Sequence, residues 1–181
     1  MAAATRRSNS PRPRVDRALV WTFALFAFVA MAFEPAYYFP CRWRLDAEGP
    51  CGDPSTDGIV LALWRFYGRW DALFVVVPPF LRIMCTIEVF LFGPAYAVVA
   101  YYLHRGRDAD APAWFPAFAL LFSGALIYST LVYFAFEVLH EWDNDATSLP
   151  MVFLVNAPWS LAPAVLAWRI DELRSSAAKI D

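Results

Sequence analysis

The chain has 181 residues, of which 60% are hydrophobic, 18% aromatic and only 18% charged, with a formal net charge of −2. Water-soluble domains run nearer ~45–50% apolar and ~25% charged, so this composition excludes a soluble domain and a disordered chain alike. The charge gives no basis for nucleic-acid binding, three Cys are too few for a disulfide scaffold, and a mean hydropathy of +0.42 leaves a small integral membrane protein.

In chain order, residues 1–17 carry Arg6, Arg7, Arg12, Arg14 and Arg17 among Pro and Ser and read as a disordered tail. A bilayer core about 30 Å thick needs roughly 20 mostly apolar residues per helix. Residues 18–41 form the first such stretch, with Glu34 as its single charge. Ala30-Met31-Ala32 resembles a signal cleavage site, but the apolar run exceeds the usual ~7–15 residues of a signal peptide. The connection 42–82 is too long for a bare loop. It opens on turn signals (Glu48-Gly49-Pro50, Gly52-Asp53-Pro54, Asp57-Gly58) and continues through 59–77, where aromatic residues alternate with Arg65 and Arg69. That mixture predicts a segment lying in the membrane interface. A fifth, short span is the alternative, opposed by Arg65, Arg69 and Asp71. Three more spans come after it, at 83–103 with only Glu88, and at 111–136 and 146–168 with no charge, before a tail at 171–181.

The expected fold is all-α, a polytopic membrane four-helix bundle with kinked helices and an intramembrane cavity. The kinks are expected at Pro35, Pro94, Pro116, Pro158 and Pro163, whose freed carbonyls neighbouring helices and hydroxyls would satisfy. The basic residues of the N-terminal tail fall on the same side as Arg105, Arg107, Arg169, Arg174 and Lys179. Fewer lie opposite, and the third connection is acidic (Glu137, Glu141, Asp143, Asp145), so both termini are expected in the cytosol. Cys41 and Cys51 share the non-cytosolic connection, and a bridge between them is a hypothesis.

Glu34 and Glu88 are the candidate chemistry. An ionisable side chain at mid-depth costs at least ~2.5–3.5 kcal/mol, so it normally faces a partner or a cavity. The expected arrangement is a shared pocket in which repulsion and desolvation favour holding a proton between the two acids. The plain alternative is that each is neutral and only bonds a helix. Helical spacing puts Met84, Cys85, Glu88 and Phe92 on one face. Asn156 and Trp159 lie three apart, and Tyr128 and Tyr133 add hydroxyls, outlining an apolar site with a few polar groups. No cofactor or metal site is expected. His104 and His140 read as interfacial.

Several stretches, in order, resemble the EXPERA family, whose members include emopamil-binding proteins (sterol 8,7-isomerases) and sigma-2 receptors. They are Phe33-Glu34, Leu63-Trp64-Arg65-Phe66-Tyr67-Gly68-Arg69-Trp70-Asp71, Phe92-Gly93-Pro94, Ile127-Tyr128 with Val132-Tyr133-Phe134 and Glu137, and Val155-Asn156-Ala157-Pro158-Trp159 with Pro163. The similarity covers about residues 18–170. It places the isomerase acid on Glu34, its Asn on Asn156 and its Trp on Trp159. The isomerase His falls on Ala30, its second Glu on Cys85, and its Thr on Glu88. The receptor pattern matches Glu34, Glu88 and the interfacial Asp71, and it shares the four spans.

The resemblance implies a sterol or sterol-like (or amine-like) ligand bound between helices, in the manner of the sigma-2 receptor, in the endoplasmic reticulum membrane. The bilayer is the other expected partner, and a homodimer is left open. The alternative activity is a sterol double-bond isomerase using Glu34 and Glu88. A second alternative is a trafficking adaptor with incidental acids.

Overall fold

A computed structural model describes residues 14–36, 58–71, 73–105, 111–139 and 148–177. The expected Cys41–Cys51 pairing, the turn-rich residues 42–57, His140 and most of the N-terminal tail lie outside the described residues. The described residues are built from helices: α1 (Arg14–Ala36), α2 (Ile59–Gly68), a single turn α3 (Leu73–Val76), α4 (Pro79–Arg105), α5 (Phe115–Leu139), α6 (Leu149–Asn156) and α7 (Pro158–Ala177). Four stretches are long and apolar enough to cross a bilayer: α1, α4, α5 and the α6–α7 run Leu149–Asp171. The chain is an all-helical membrane protein. The third connection starts later than its acidic residues suggest, because Glu137 is still within α5 and is buried.

Two helices carry the same irregularity. In α1 a wide π-type turn covers Val29–Phe33, and the Glu34 N–H reaches back to the Val29 carbonyl. In α4 the wide turn covers Glu88–Phe92, and the Gly93 N–H reaches the Glu88 carbonyl. Pro35 and Pro94 each come directly after. Proline has no N–H and crowds the carbonyl four residues back, and opening the preceding turn to an i→i−5 bond relieves that crowding. The two wide turns pack against each other. Contact is close because residue 93 is Gly: a Cβ there would lie 2.7 Å from Met31 Cγ and 3.3 Å from Ala30 Cβ.

The last span is also kinked, at the Ala157–Pro158 junction between α6 and α7. Pro163 deprives the Trp159 carbonyl of its helical donor. The Thr130 hydroxyl, already bonded to the Leu126 carbonyl at 2.9 Å, lies 3.4 Å from that Trp159 oxygen. A neighbouring helix therefore brings a hydroxyl whose single proton is shared between the two carbonyls, the nearer one being that of Leu126.

α1 packs along α4, and α5 along α7. Lipid offers no hydrophobic drive between helices, so close packing and polar contacts must hold the pairs together. The main core does so with aromatic rings: Phe23, Phe26, Tyr96 and Phe122 interlock with Leu126 and Leu166. A second core, around Trp64, Leu73, Val77, Leu81 and Tyr133, joins α2 and α3 to α4 and α5. At one end Arg169 clasps Asp16 in a two-pronged ion pair, Nε to Oδ1 at 2.7 Å and Nη2 to Oδ2 at 3.0 Å. Outward residues such as Trp21, Leu25, Leu91, Leu121 and Leu161 remain exposed, as a lipid-facing surface requires.

Gly93→Val will force Met31 and Ala30 apart and lower stability by about 1–3 kcal/mol, seen as an earlier thermal unfolding transition in detergent. An unchanged transition would show that the wide turns do not depend on this close approach.

Candidate functional site

Between the two helix pairs, and under α2, lies a pocket of about 300 Å³. That is the lower end of the range for small-molecule sites. α1 contributes Val29, Phe33 and Glu34; α2 and α3 contribute Leu63, Trp64, Tyr67 and Phe74; α4 contributes Leu81, Met84, Cys85 and Glu88. The far wall is Leu126, Ser129, Thr130 and Tyr133 of α5 with Val155, Asn156 and Trp159 of the last span. The lining is chiefly apolar, with polar groups gathered at two places.

The first place is built by the paired wide turns. Glu34 ends one and Glu88 begins the other, so the packing that joins the turns also brings the two acids together. Glu88 Oε1 accepts hydrogen bonds from the Tyr96 hydroxyl at 2.6 Å and from the Trp159 indole N–H at 3.3 Å. The Trp159 ring stacks on Phe26 with centroids 4.4 Å apart. Glu34 is buried, is near enough to Glu88 to feel its charge, and leaves Oε2 without a donor. This arrangement offers a carboxyl oxygen to whatever occupies the pocket.

The second place centres on Asp71, fully buried just behind the pocket wall. The hydroxyls of Tyr67 (2.6 Å) and Tyr133 both donate to its Oδ2. Asn156 Nδ2 donates to the Tyr67 oxygen at 2.7 Å and to the Val152 carbonyl at 2.9 Å. Burial pushes the Asp71 carboxyl above the usual carboxylate range, and the two phenols pull it partly back. The Tyr67 phenol is itself pushed up, first by burial and then by the Asp71 charge, so it stays a donor.

Of the residues singled out in the sequence, Glu34, Met84, Cys85, Glu88, Tyr133, Asn156 and Trp159 line one pocket. Asp71 does not line it, and acts on it through Tyr67 and Tyr133. Phe92 does not line it either. The wide turn inserts one residue between Glu88 and Phe92, rotating the remainder of α4 by about 100° relative to a straight helix. Phe92 therefore packs against Phe122 in the aromatic core, and Tyr96, eight residues beyond Glu88, swings onto the Glu88 face. Tyr128 is 71% exposed on the outer face of α5, while Ser129 and Thr130 occupy the inner one. The hydroxyls of Ser129 and Thr130, expected near the site, line it, whereas sequence reasoning did not assign Tyr67, Tyr96 or the buried Glu137 to it. Tyr67 lies within the aromatic stretch of the interface segment, which signalled its place, whereas Tyr96 carried no signal without knowledge of the wide turn. Among the described residues, no group of three or more His, Cys, Asp or Glu side chains is placed to hold a metal ion.

The EXPERA (EXPanded EBP superfamily) profile matches residues 59–170, more than half of the chain. The chain belongs to the EXPERA family. The rat (Rattus norvegicus) 3-beta-hydroxysteroid-Delta(8),Delta(7)-isomerase is 23% identical over 172 residues, covering 91% of this chain and 67% of the relative. No solved structure matches. The EXPERA match takes in the segment from α2 to α7 and so both polar places except Glu34, which lies in the longer alignment to the isomerase.

Removing one hydroxyl distinguishes the inner and outer tyrosines. Tyr133→Phe leaves Asp71 short of a donor and will cost about 1–3 kcal/mol. Tyr128→Phe will stay within about 0.5 kcal/mol of the parent. Equal effects in thermal or denaturant unfolding would contradict this placement.

Proposed function

We propose that the pocket binds a sterol or sterol-like amphiphile within the membrane, with Glu34 and Glu88 as its polar recognition groups. The single observation that carries this reading is the donorless Glu34 oxygen, buried beside Glu88 in an otherwise apolar pocket. An acceptor kept in that state is costly unless a ligand supplies the donor. Family membership supports a ligand of the steroid class, as does the isomerase relative. We assign the protein to the endoplasmic reticulum membrane with both termini cytosolic, from the charge bias of its connections and the family resemblance.

The same acid pair supports a second reading, transposition of a ring double bond. A carboxylic acid adds its proton to one alkene carbon, leaving a cation on the other. The neighbouring carboxylate then removes a proton from the adjacent carbon, so the double bond moves and no proton is gained or lost. In this reading Trp159, which is bonded to Glu88 and lines the pocket, stabilises the cation through its indole ring. Cys85 and Ala30 occupy the positions where the resemblance puts the isomerase's second Glu and its His, which is why binding stands first.

Purified protein in lipid nanodiscs, incubated with an 8-ene sterol and analysed by mass spectrometry, tests both readings. Retention of the sterol without conversion, weakened about tenfold or more in Glu34→Gln and in Glu88→Gln, is the expected result. Conversion to the 7-ene product, abolished by Glu88→Gln, would replace binding with catalysis. Sterol association unaffected by either change would refute both readings and leave the adaptor role.

A further inference from the structure

The spanning helix α4 has 27 residues, Pro79–Arg105. At a rise of ~1.5 Å per residue it is about 40 Å long. A hydrocarbon layer about 30 Å thick, centred on it, leaves about 5 Å at each end. Arg82, in the first turn, therefore stands where hydrocarbon meets headgroups. Its guanidinium is held from one side, where Nε donates to the Val77 carbonyl at 2.8 Å in the turn between α3 and α4.

Three other arginines find partners within the fold. Arg169 pairs with Asp16, Arg105 bonds the Tyr101 hydroxyl at 2.9 Å, and Arg69 lies over the Phe66 ring. At Arg82, among the described residues, no carboxylate or phenol meets the two Nη nitrogens. They leave a fork of N–H donors at headgroup depth, the geometry that takes two oxygens of one phosphate.

Beside the guanidinium lies a groove of about 230 Å³, lined by Arg82, Ile83, Thr86 and Ile87. The pairs Arg82–Thr86 and Ile83–Ile87 are neighbouring i, i+4 ridges, and the groove follows them along the helix. Ile83 is 62% exposed and Ile87 40%. Ile87 lies five residues beyond Arg82, about 7 Å deeper in the bilayer. The Thr86 hydroxyl donates to the Arg82 carbonyl at 2.6 Å, so its proton is spent within the helix. The groove is thus cationic at the headgroup end and apolar towards the bilayer centre, the same order of polarity as in a phospholipid.

We propose that Arg82 and this groove form a site for an anionic phospholipid, separate from the pocket between the helix pairs. The guanidinium edge holds the phosphate, and an acyl chain lies along Ile83 and Ile87. A choline headgroup would bring its ammonium beside the guanidinium with no carboxylate to offset it, so a headgroup of net negative charge is preferred. The site needs no assumption about what the pocket binds.

Native mass spectrometry of the full chain in neutral detergent, offered equal amounts of phosphatidylglycerol and phosphatidylcholine, tests it. Basic residues of the two tails add a background common to all variants, so the readout is the difference between parent and variant. The parent should retain phosphatidylglycerol about fivefold more than Arg82→Gln does. Arg82→Lys, which keeps the charge without the fork, should fall between them. Ile87→Trp fills the groove while leaving the Arg82–Val77 bond intact, and should lower retention by a similar factor. Inorganic phosphate at about 10 mM should not displace the lipid, since it gains nothing from the apolar part of the groove. Equal retention of the two lipids by the parent, retention in Arg82→Gln that matches the parent, or displacement by inorganic phosphate overturns the proposal. Should Arg82→Gln not fold, Ile87→Trp decides, and retention there equal to the parent's overturns it. The sterol assay on the same preparations reports on the pocket alone, so either reading can fail without the other.

Discussion

A carboxyl group withdrawn from water must find donors, a proton or a second polar group, because an isolated buried charge costs more than a small membrane bundle can supply. Among the described residues this demand arises at Glu34, Asp71, Glu88 and Glu137; donors meet it at Asp71 and Glu88, and the Glu34 oxygen is left facing the pocket. Phenols from Tyr67, Tyr96 and Tyr133 and the Trp159 indole are the donors that meet Asp71 and Glu88. Aromatic side chains suit the task in lipid, since the ring packs like hydrocarbon and the tip donates. The high aromatic content thus serves both the core and the polar sites.

Helix irregularity is the second ingredient. Straight helices would keep Glu88 and Tyr96 on different faces and would carry Phe92 towards the pocket. Prolines at 35 and 94 impose wide turns just where the acids stand, and Gly93 lets those turns approach. Local backbone chemistry, packing between α1 and α4, and the meeting of Glu34 with Glu88 are therefore one structural event.

Much of this is plain in the sequence. Four apolar runs, a segment rich in Trp, Tyr and Arg between the first two, and lone Glu residues at 34 and 88 announce the spans and one polar centre. The order of motifs is enough to indicate the family. Periodicity alone could not deliver the consequences of a single inserted residue: Phe92 turned to the core and Tyr96 to Glu88. Tyr128 and Tyr133 look equivalent as letters, yet five residues at helical pitch put them on different faces of α5. Glu137 reads, with the acids just beyond it, as part of a polar connection. Its burial follows from α5 running on to Leu139, which no local pattern encodes. Asp71 stands out as an acid in an aromatic segment, but its place behind the wall is a tertiary fact.

The clasp between Asp16 and Arg169 ties α1 to α7, while α2 and α3, which come after the first span, rest on α4 and α5 and reach Val152 of α6. The two halves of the polypeptide are consequently interleaved rather than stacked as separate hairpins. During synthesis the far wall of the pocket stays incomplete until the span that carries Asn156 and Trp159 has entered the bilayer. Closure of the pocket is thus a cooperative step that needs residues from α1 and from the α6–α7 span together.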